Sequence, residues 1–74
     1  MNPTILEVLK RTVTNDESKL VPSAKLIDDL GCDSLSAVEI LMDLEDKLGI
    51  QIEDNEIETV VTIQDIINIV EAKL

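Results

Sequence analysis

Apolar residues recur at helical spacing in three stretches of the chain, and the residues flanking each stretch are those that start or stop a helix. Asn2 stands as an N-cap before Pro3 at a first helical position, and Ile5, Leu6, Val8, Leu9 and Val13 continue the pattern, which predicts a helix over about residues 3–14. Ser34 to Leu48 contains neither glycine nor proline, and Gly49 occupies the place of a left-handed C-terminal residue, so a second helix of about four turns spans 34–48. After an extended Ile50-Gln51-Ile52, Asp54 is positioned to cap a short third helix over about residues 55–60. Thr62 with Asp65 three residues on resembles an abbreviated capping box, opening a last helix whose Ile63, Ile66, Ile67 and Val70 share one face.

Residues 15–33 break this pattern with Asn15, Asp16, Ser18, Pro22, Ser23 and Gly31, a composition that favours turns. A connection this long is uncommon in a small domain unless its own apolar residues pin it down or it has a function. Leu20, Val21, Leu26, Ile27 and Leu30 are available to pin it, with a short helical turn expected near residues 23–28. The class that emerges is all-α: a single domain over 1–74, a bundle of three main helices and one short helix, with a long loop between helices 1 and 2.

The second helix carries two apolar stripes. At about 100° per residue, Ala37, Ile40, Leu41, Leu44 and Leu48 fall in one arc of the width a core-facing stripe needs. Leu35, Val38 and Met42 lie on nearly the opposite side, where a packed helix meets solvent. Glu39, Asp43 and Asp46 border that second stripe on one side and Glu45 on the other. An apolar strip framed by carboxylates has the anatomy of a protein-docking surface, with affinity from the apolar groups and orientation from the charges.

Charge sharpens this picture. Sixteen acidic residues against six basic ones give a net charge of −10, which repels phosphate backbones and attracts basic protein surfaces, so nucleic acid is excluded as a partner. Histidine is absent, which removes the usual general base and the commonest metal ligand. The single cysteine, Cys32, has no partner within the chain for a disulfide and no histidine to activate it. With no Phe, Tyr or Trp, neither a base-stacking platform nor an aromatic pocket can be built. No segment has the ligand spacing of an EF-hand loop. These absences point away from an enzyme and from a metal site. No apolar run reaches the roughly 18 residues that cross a bilayer, and the first 15 residues lack a secretory pattern. The expected location is therefore cytoplasmic, or an organelle lumen if a transit segment has been removed.

A serine at a helix start is most often an N-cap, so Ser34 gains meaning only from its surroundings. The stretch Asp28-Asp29-Leu30-Gly31-Cys32-Asp33-Ser34-Leu35-Ser36-Ala37-Val38-Glu39-Ile40 closely resembles the attachment-site signature of free-standing acyl carrier proteins. The resemblance runs on through Glu45-Asp46-Lys47-Leu48-Gly49-Ile50 to the closing Val61-Thr62-Ile63-Gln64-Asp65-Ile66-Ile67, and length, acidity and absent histidine agree with it. It implies a monomeric four-helix bundle that bears a covalent 4′-phosphopantetheine arm, taken from coenzyme A, on Ser34. Acyl groups would ride on that arm as thioesters, and the chain itself would do no chemistry. The implied partners are a phosphopantetheinyl transferase, acyl and malonyl transferases and ketoacyl synthases of fatty acid, lipid or polyketide biosynthesis, docking through basic surfaces.

The resemblance also assigns Asp33, Leu35, Val38, Glu39, Met42, Glu45 and Asp46 to partner recognition; Asp43 joins them on helical geometry alone. It suggests further that an acyl chain slides between the helices, for which Ile40, Leu41, Leu44, Leu48, Ile57, Val60 and Ile63 are the aliphatic lining candidates. Ser36, Leu48, Glu53 and Ile69 depart from the pattern common in fatty acid synthesis and leave the pathway open. Two alternatives stand beside this reading: a peptidyl or aminoacyl carrier with the same modified serine, and an unmodified acidic adaptor in which Ser34 merely caps its helix.

Overall fold

A computed structural model describes all of residues 1–74. Four α-helices form in the order α1 (Pro3–Thr12), α2 (Ser34–Leu48), α3 (Asp54–Ile57) and α4 (Ile63–Lys73), with a single 3₁₀ turn at Glu17–Lys19 between the first two. α1 and α4 start, and α2 ends, with the expected chemistry. The Asn2 side chain accepts the Thr4 N–H at 2.8 Å with Pro3 in the first turn. Thr62 and Asp65 make the full reciprocal capping box at the head of α4. Gly49 closes α2 in the left-handed conformation at φ 66°, its N–H bonded to the Glu45 carbonyl.

Several expectations needed correction. α1 ends at Thr12 instead of residue 14, where the N–H groups of Val13 and Thr14 both turn back onto the Leu9 carbonyl. α3 spans only Asp54–Ile57, and Asp54 is its first residue; Glu53 holds the cap position without a side-chain bond. The Asp54 carboxylate instead sits in the first turn, on the favourable end of the helix dipole. No helix forms at residues 23–28. The chain turns over Lys25–Gly31 through bonds from Asp29 N–H and Leu30 N–H to the Lys25 carbonyl and from Gly31 N–H to the Ile27 carbonyl.

Fourteen residues form the core and all are apolar. α1 contributes Ile5, Val8 and Leu9, α2 contributes Ile40, Leu41 and Leu44, and α4 contributes Ile63, Ile66, Ile67 and Val70. The long loop adds Leu20, Ala24 and Leu26, which is how so much irregular chain stays in place. Of the five residues expected to pin it, Leu20 and Leu26 are buried and Leu30 is half-buried, whereas Val21 and Ile27 are exposed.

Ion pairs fix the sense of α1 against α2. Arg11 lies 3.5 Å from Asp43 and Glu7 3.9 Å from Lys47, so residues advancing along one helix meet residues retreating along the other and the pair is antiparallel. The loop is stitched to the α3–α4 connection by backbone bonds. Leu26 N–H donates to the Val61 carbonyl at 2.9 Å, Ile63 N–H to Ala24 at 3.0 Å and Gln64 N–H to Pro22 at 2.8 Å, around an isolated antiparallel bridge between Lys25 and Thr62. No helix is long and apolar enough to cross a membrane.

Candidate functional site

Ser34 is the first residue of α2 and is exposed. It does not cap the helix. Asp33 takes that position with extended backbone, and its carboxylate accepts the Ser36 N–H at 2.8 Å. Those bonds, from the Ser36 backbone first and its hydroxyl second, hold the Asp33 carboxyl below its ordinary value. The commonest structural use of a serine at a helix start therefore falls to its neighbour. The Ser36 and Ala37 N–H groups are taken by the Asp33 carboxylate and carbonyl, and the exposed Ser34 sits at the positive end of the α2 dipole, a position that tolerates a phosphodiester. Upstream, Gly31 adopts the left-handed conformation at φ 72°, and a Cβ at that position would meet nothing within 4 Å. The half-buried Cys32 has its thiol pushed up, by burial first and by the adjacent Asp33 carboxylate second. Protonated at neutral pH, it is a poor nucleophile beside Ser34.

A cleft of about 300 Å³ adjoins the serine, with Ser34 itself, Ala37 and Val38 of α2, Ile57, Glu58 and Val60 around α3, and Ile27 from the long loop as its walls. An exposed hydroxyl beside an apolar cleft fits an arm that carries an apolar cargo. A second depression, of about 310 Å³, runs along α1 past Glu7 and Arg11. Their partners Lys47 and Asp43 place it at the far end of α2 from Ser34.

The recognition candidates divide. Leu35 is 65% and Met42 55% exposed, so the second stripe of α2 does face solvent. Glu39 and Asp46 are exposed beside it, while Val38 is half-buried and turned into the cleft. Asp43 is drawn toward α1 by Arg11, and the Glu45 carboxylate accepts the Ile52 N–H at 2.8 Å, tying the chain after Gly49 back to α2. Of the acyl-lining candidates, Ile57 and Val60 line the cleft; Ile40, Leu41, Leu44 and Ile63 are fully buried in the core, and Leu48 is half-buried against it. Ile27, Ala37 and Glu58 were missing from the candidates. Only the tertiary approach of loop and α3 to α2 brings them together, so no local spacing signals them.

A family profile described as "Phosphopantetheine attachment site" matches residues 3–70. The chain belongs to this family. A protein named "Acyl carrier protein" from Thermotoga maritima is 39% identical over 70 residues, covering 95% of this chain and 86% of that protein. One of the same name from Thermosynechococcus vestitus is 39% identical over 74 residues, covering 95% of this chain and 91% of its own length. The crystal structure of an acyl carrier protein from Thermotoga maritima superposes with a TM-score of 0.79 at 28% identity, over 93% of this chain and 80% of that one. As a member of this family the chain is an acyl carrier whose cofactor is 4′-phosphopantetheine. The peptidyl-carrier and adaptor alternatives are not favoured.

Proposed function

We propose that Ser34 bears the 4′-phosphopantetheine arm and that the chain presents acyl thioesters to cytoplasmic enzymes of fatty acid, lipid or polyketide biosynthesis. The observation that carries this reading is the division of labour at the head of α2: Asp33 caps the helix, and the exposed Ser34 hydroxyl stands free of that role beside the apolar cleft. The arm supplies a terminal thiol, and the thioester formed there is the chemistry of carriage. The chain's own part is positional. Ser34 offers an oxygen at the positive end of a helix, where a new phosphodiester charge is tolerated. The cleft walls Ile27, Val38, Ile57 and Val60 offer apolar cover beside it.

Leu35 and Met42 supply exposed apolar contacts for a partner, and Glu39 and Asp46 the charges that steer a basic surface onto them. Phosphopantetheinyl transferase, acyl and malonyl transferases and ketoacyl synthases are the partner classes this surface suits, with the carrier docking as a monomer. Histidine, the usual general base, is absent from the carrier, and the reading assigns the chemistry at its serine and thioester to those partners.

Intact mass before and after incubation with coenzyme A and a broad-specificity phosphopantetheinyl transferase tests the reading. The parent chain gains one phosphopantetheine and Ser34→Ala gains none. A parent chain that stays unmodified while a control carrier is loaded overturns it.

A further inference from the structure

The walls of the cleft come from three separate parts of the chain, and one carboxylate lies at the root of what joins them. Asp65 is 31 positions after Ser34 and belongs to α4, yet its Oδ2 accepts the N–H groups of both Val61, at 2.8 Å, and Thr62, at 2.9 Å. Val60, the residue before that gripped dipeptide, is a wall of the cleft. The Val61 carbonyl in turn accepts the Leu26 N–H at 2.9 Å, and the Leu26 carbonyl accepts the Cys32 N–H at 2.9 Å. Leu26 precedes Ile27, the loop's wall of the cleft, and Cys32 stands two residues before Ser34. One run of hydrogen bonds thus passes from Asp65 through Val61 and Leu26 to Cys32, and its two middle stops each adjoin a cleft residue, Val60 and Ile27.

We propose that Asp65 is a positioning residue for the cargo cleft: by gripping Val61 and Thr62 it sets the separation of the Val60 and Ile27 walls beside Ser34. The inference rests on Ser34 bearing the arm, and it adds a role for a residue that a simple reading leaves as half of a capping box. The two jobs overlap in one bond. The capping box uses the bond from Asp65 N–H to the Thr62 hydroxyl, 3.2 Å long, and the bond from Thr62 N–H to the Asp65 carboxylate, whereas the bond from Val61 N–H to that carboxylate lies outside the box. The bonds from Thr62 N–H and Val61 N–H also hold that carboxyl below its ordinary value, as a charged acceptor of two donors should be. Core packing alone leaves these walls partly loose, because Ile27 is 56% exposed and Val60 is only half-buried against the core. Main-chain bonds hold what side-chain burial leaves loose.

Comparing Asp65→Ala with Thr62→Ala tests the proposal, since the first removes the grip and the second removes only the cap hydroxyl. In the unmodified chain the Leu26 amide should exchange with solvent about tenfold faster in D65A than in T62A. After transfer of an octanoyl-phosphopantetheine arm, the Ile27 and Val60 methyl shifts caused by the octanoyl group should match the parent in T62A and be lost in D65A. Equal amide exchange in the two variants, or unaltered octanoyl shifts in D65A, overturns the role. If D65A does not fold, Asp65→Asn takes its place, with Leu26 exchange still faster than in T62A; exchange no faster than in T62A overturns the role equally. A chain that accepts no arm at Ser34 refutes the attachment site, and amide exchange in the unmodified chain then judges Asp65 by itself.

Discussion

The Asp33 carboxylate accepts the Ser36 backbone N–H at 2.8 Å, one residue before the serine whose hydroxyl would otherwise be the natural cap of α2. Two adjacent side chains able to cap are thereby sorted into one that holds the helix and one that is free to be modified. Replacing each by alanine should separate the two roles. Ser34→Ala is expected to melt within about 0.5 kcal/mol of the parent, the range of an uninvolved surface position. Asp33→Ala should lower the melting temperature clearly while leaving the Ser34 hydroxyl in place. Thermal unfolding followed by circular dichroism decides; indistinguishable melts for parent and Asp33→Ala would show that Asp33 does not cap α2.

How much of this was legible in the chain depends on how local each signal is. The span of α2 was readable to the residue because Ser34–Leu48 lacks breakers and Gly49 ends it. The Thr62–Asp65 box was readable because both partners lie within one turn. The 3₁₀ turn at Glu17–Lys19 was not, since three residues have no periodicity; its one signal is Asp16, whose carboxylate accepts the Ser18 N–H at 3.1 Å. Asp33 and Ser34 are both good caps in isolation, and only backbone conformation decides between them. The cleft was legible only in part, through Ile57 and Val60; Val38 was expected on the docking surface, and the loop wall is set by pairing between residues 22–26 and 61–64, which no spacing rule reaches. Asp43 and Glu45 lie on the right arc for docking, but Arg11 and the Ile52 N–H engage them.

That division among the acids yields a prediction about docking. Charge reversal of Glu39 or Asp46, both exposed, should weaken binding to a ketoacyl synthase by about three- to fivefold at low salt and leave the melt unchanged. At ionic strengths that shorten the Debye length to a few ångströms the deficit should fade. Glu45→Ala should instead cost about 1 kcal/mol of stability, because it frees the part-buried Ile52 N–H. Binding isotherms at two salt concentrations, run beside denaturant melts, distinguish the outcomes; equal salt dependence in parent and Glu39→Lys would remove electrostatics from docking.

Leu41 and Met42 are neighbours in sequence with opposite environments, fully buried and 55% exposed respectively. Leu41→Ala should destabilise the fold by about 3 kcal/mol through lost burial and the cavity left behind. Met42→Glu should leave stability within about 0.5 kcal/mol and impair partner binding by placing a charge in the apolar strip. An unfolded Met42→Glu chain would assign the second stripe of α2 to the core.

Gly49 isolates a backbone effect from packing. Its φ of 66° suits glycine, and a Cβ there would meet nothing within 4 Å, so Gly49→Ala adds conformational strain without a clash. The expected cost is about 1 kcal/mol, with Gly49→Asn costing less because asparagine tolerates the left-handed region. Urea unfolding of the three chains gives the order directly; an alanine variant as stable as the parent would mean that α2 ends differently in solution.

Two titrations set opposite edges to the stability of the fold, and difference curves isolate each from the charge of the rest. Asp65 has a folded carboxyl below the ordinary 3.8, so between those values the unfolded chain binds the proton more readily. Its contribution is therefore complete above 3.8 and lost as pH falls through the lower folded value. Asparagine cannot titrate, so the stability of the parent minus that of Asp65→Asn should be constant near neutrality and decline in acid. Cys32 acts in the other sense. Burial raises its thiol above 9.0, so its contribution is present below that pH and lost as the pH rises through the folded value, where the unfolded thiolate is favoured. Parent minus Cys32→Ala should then be level up to about pH 9 and fall beyond it. Urea midpoints collected from acid to alkaline pH for the three chains give both curves, and a Cys32 difference that stays level through pH 10 would mean that the folded thiol is as well solvated as the unfolded one.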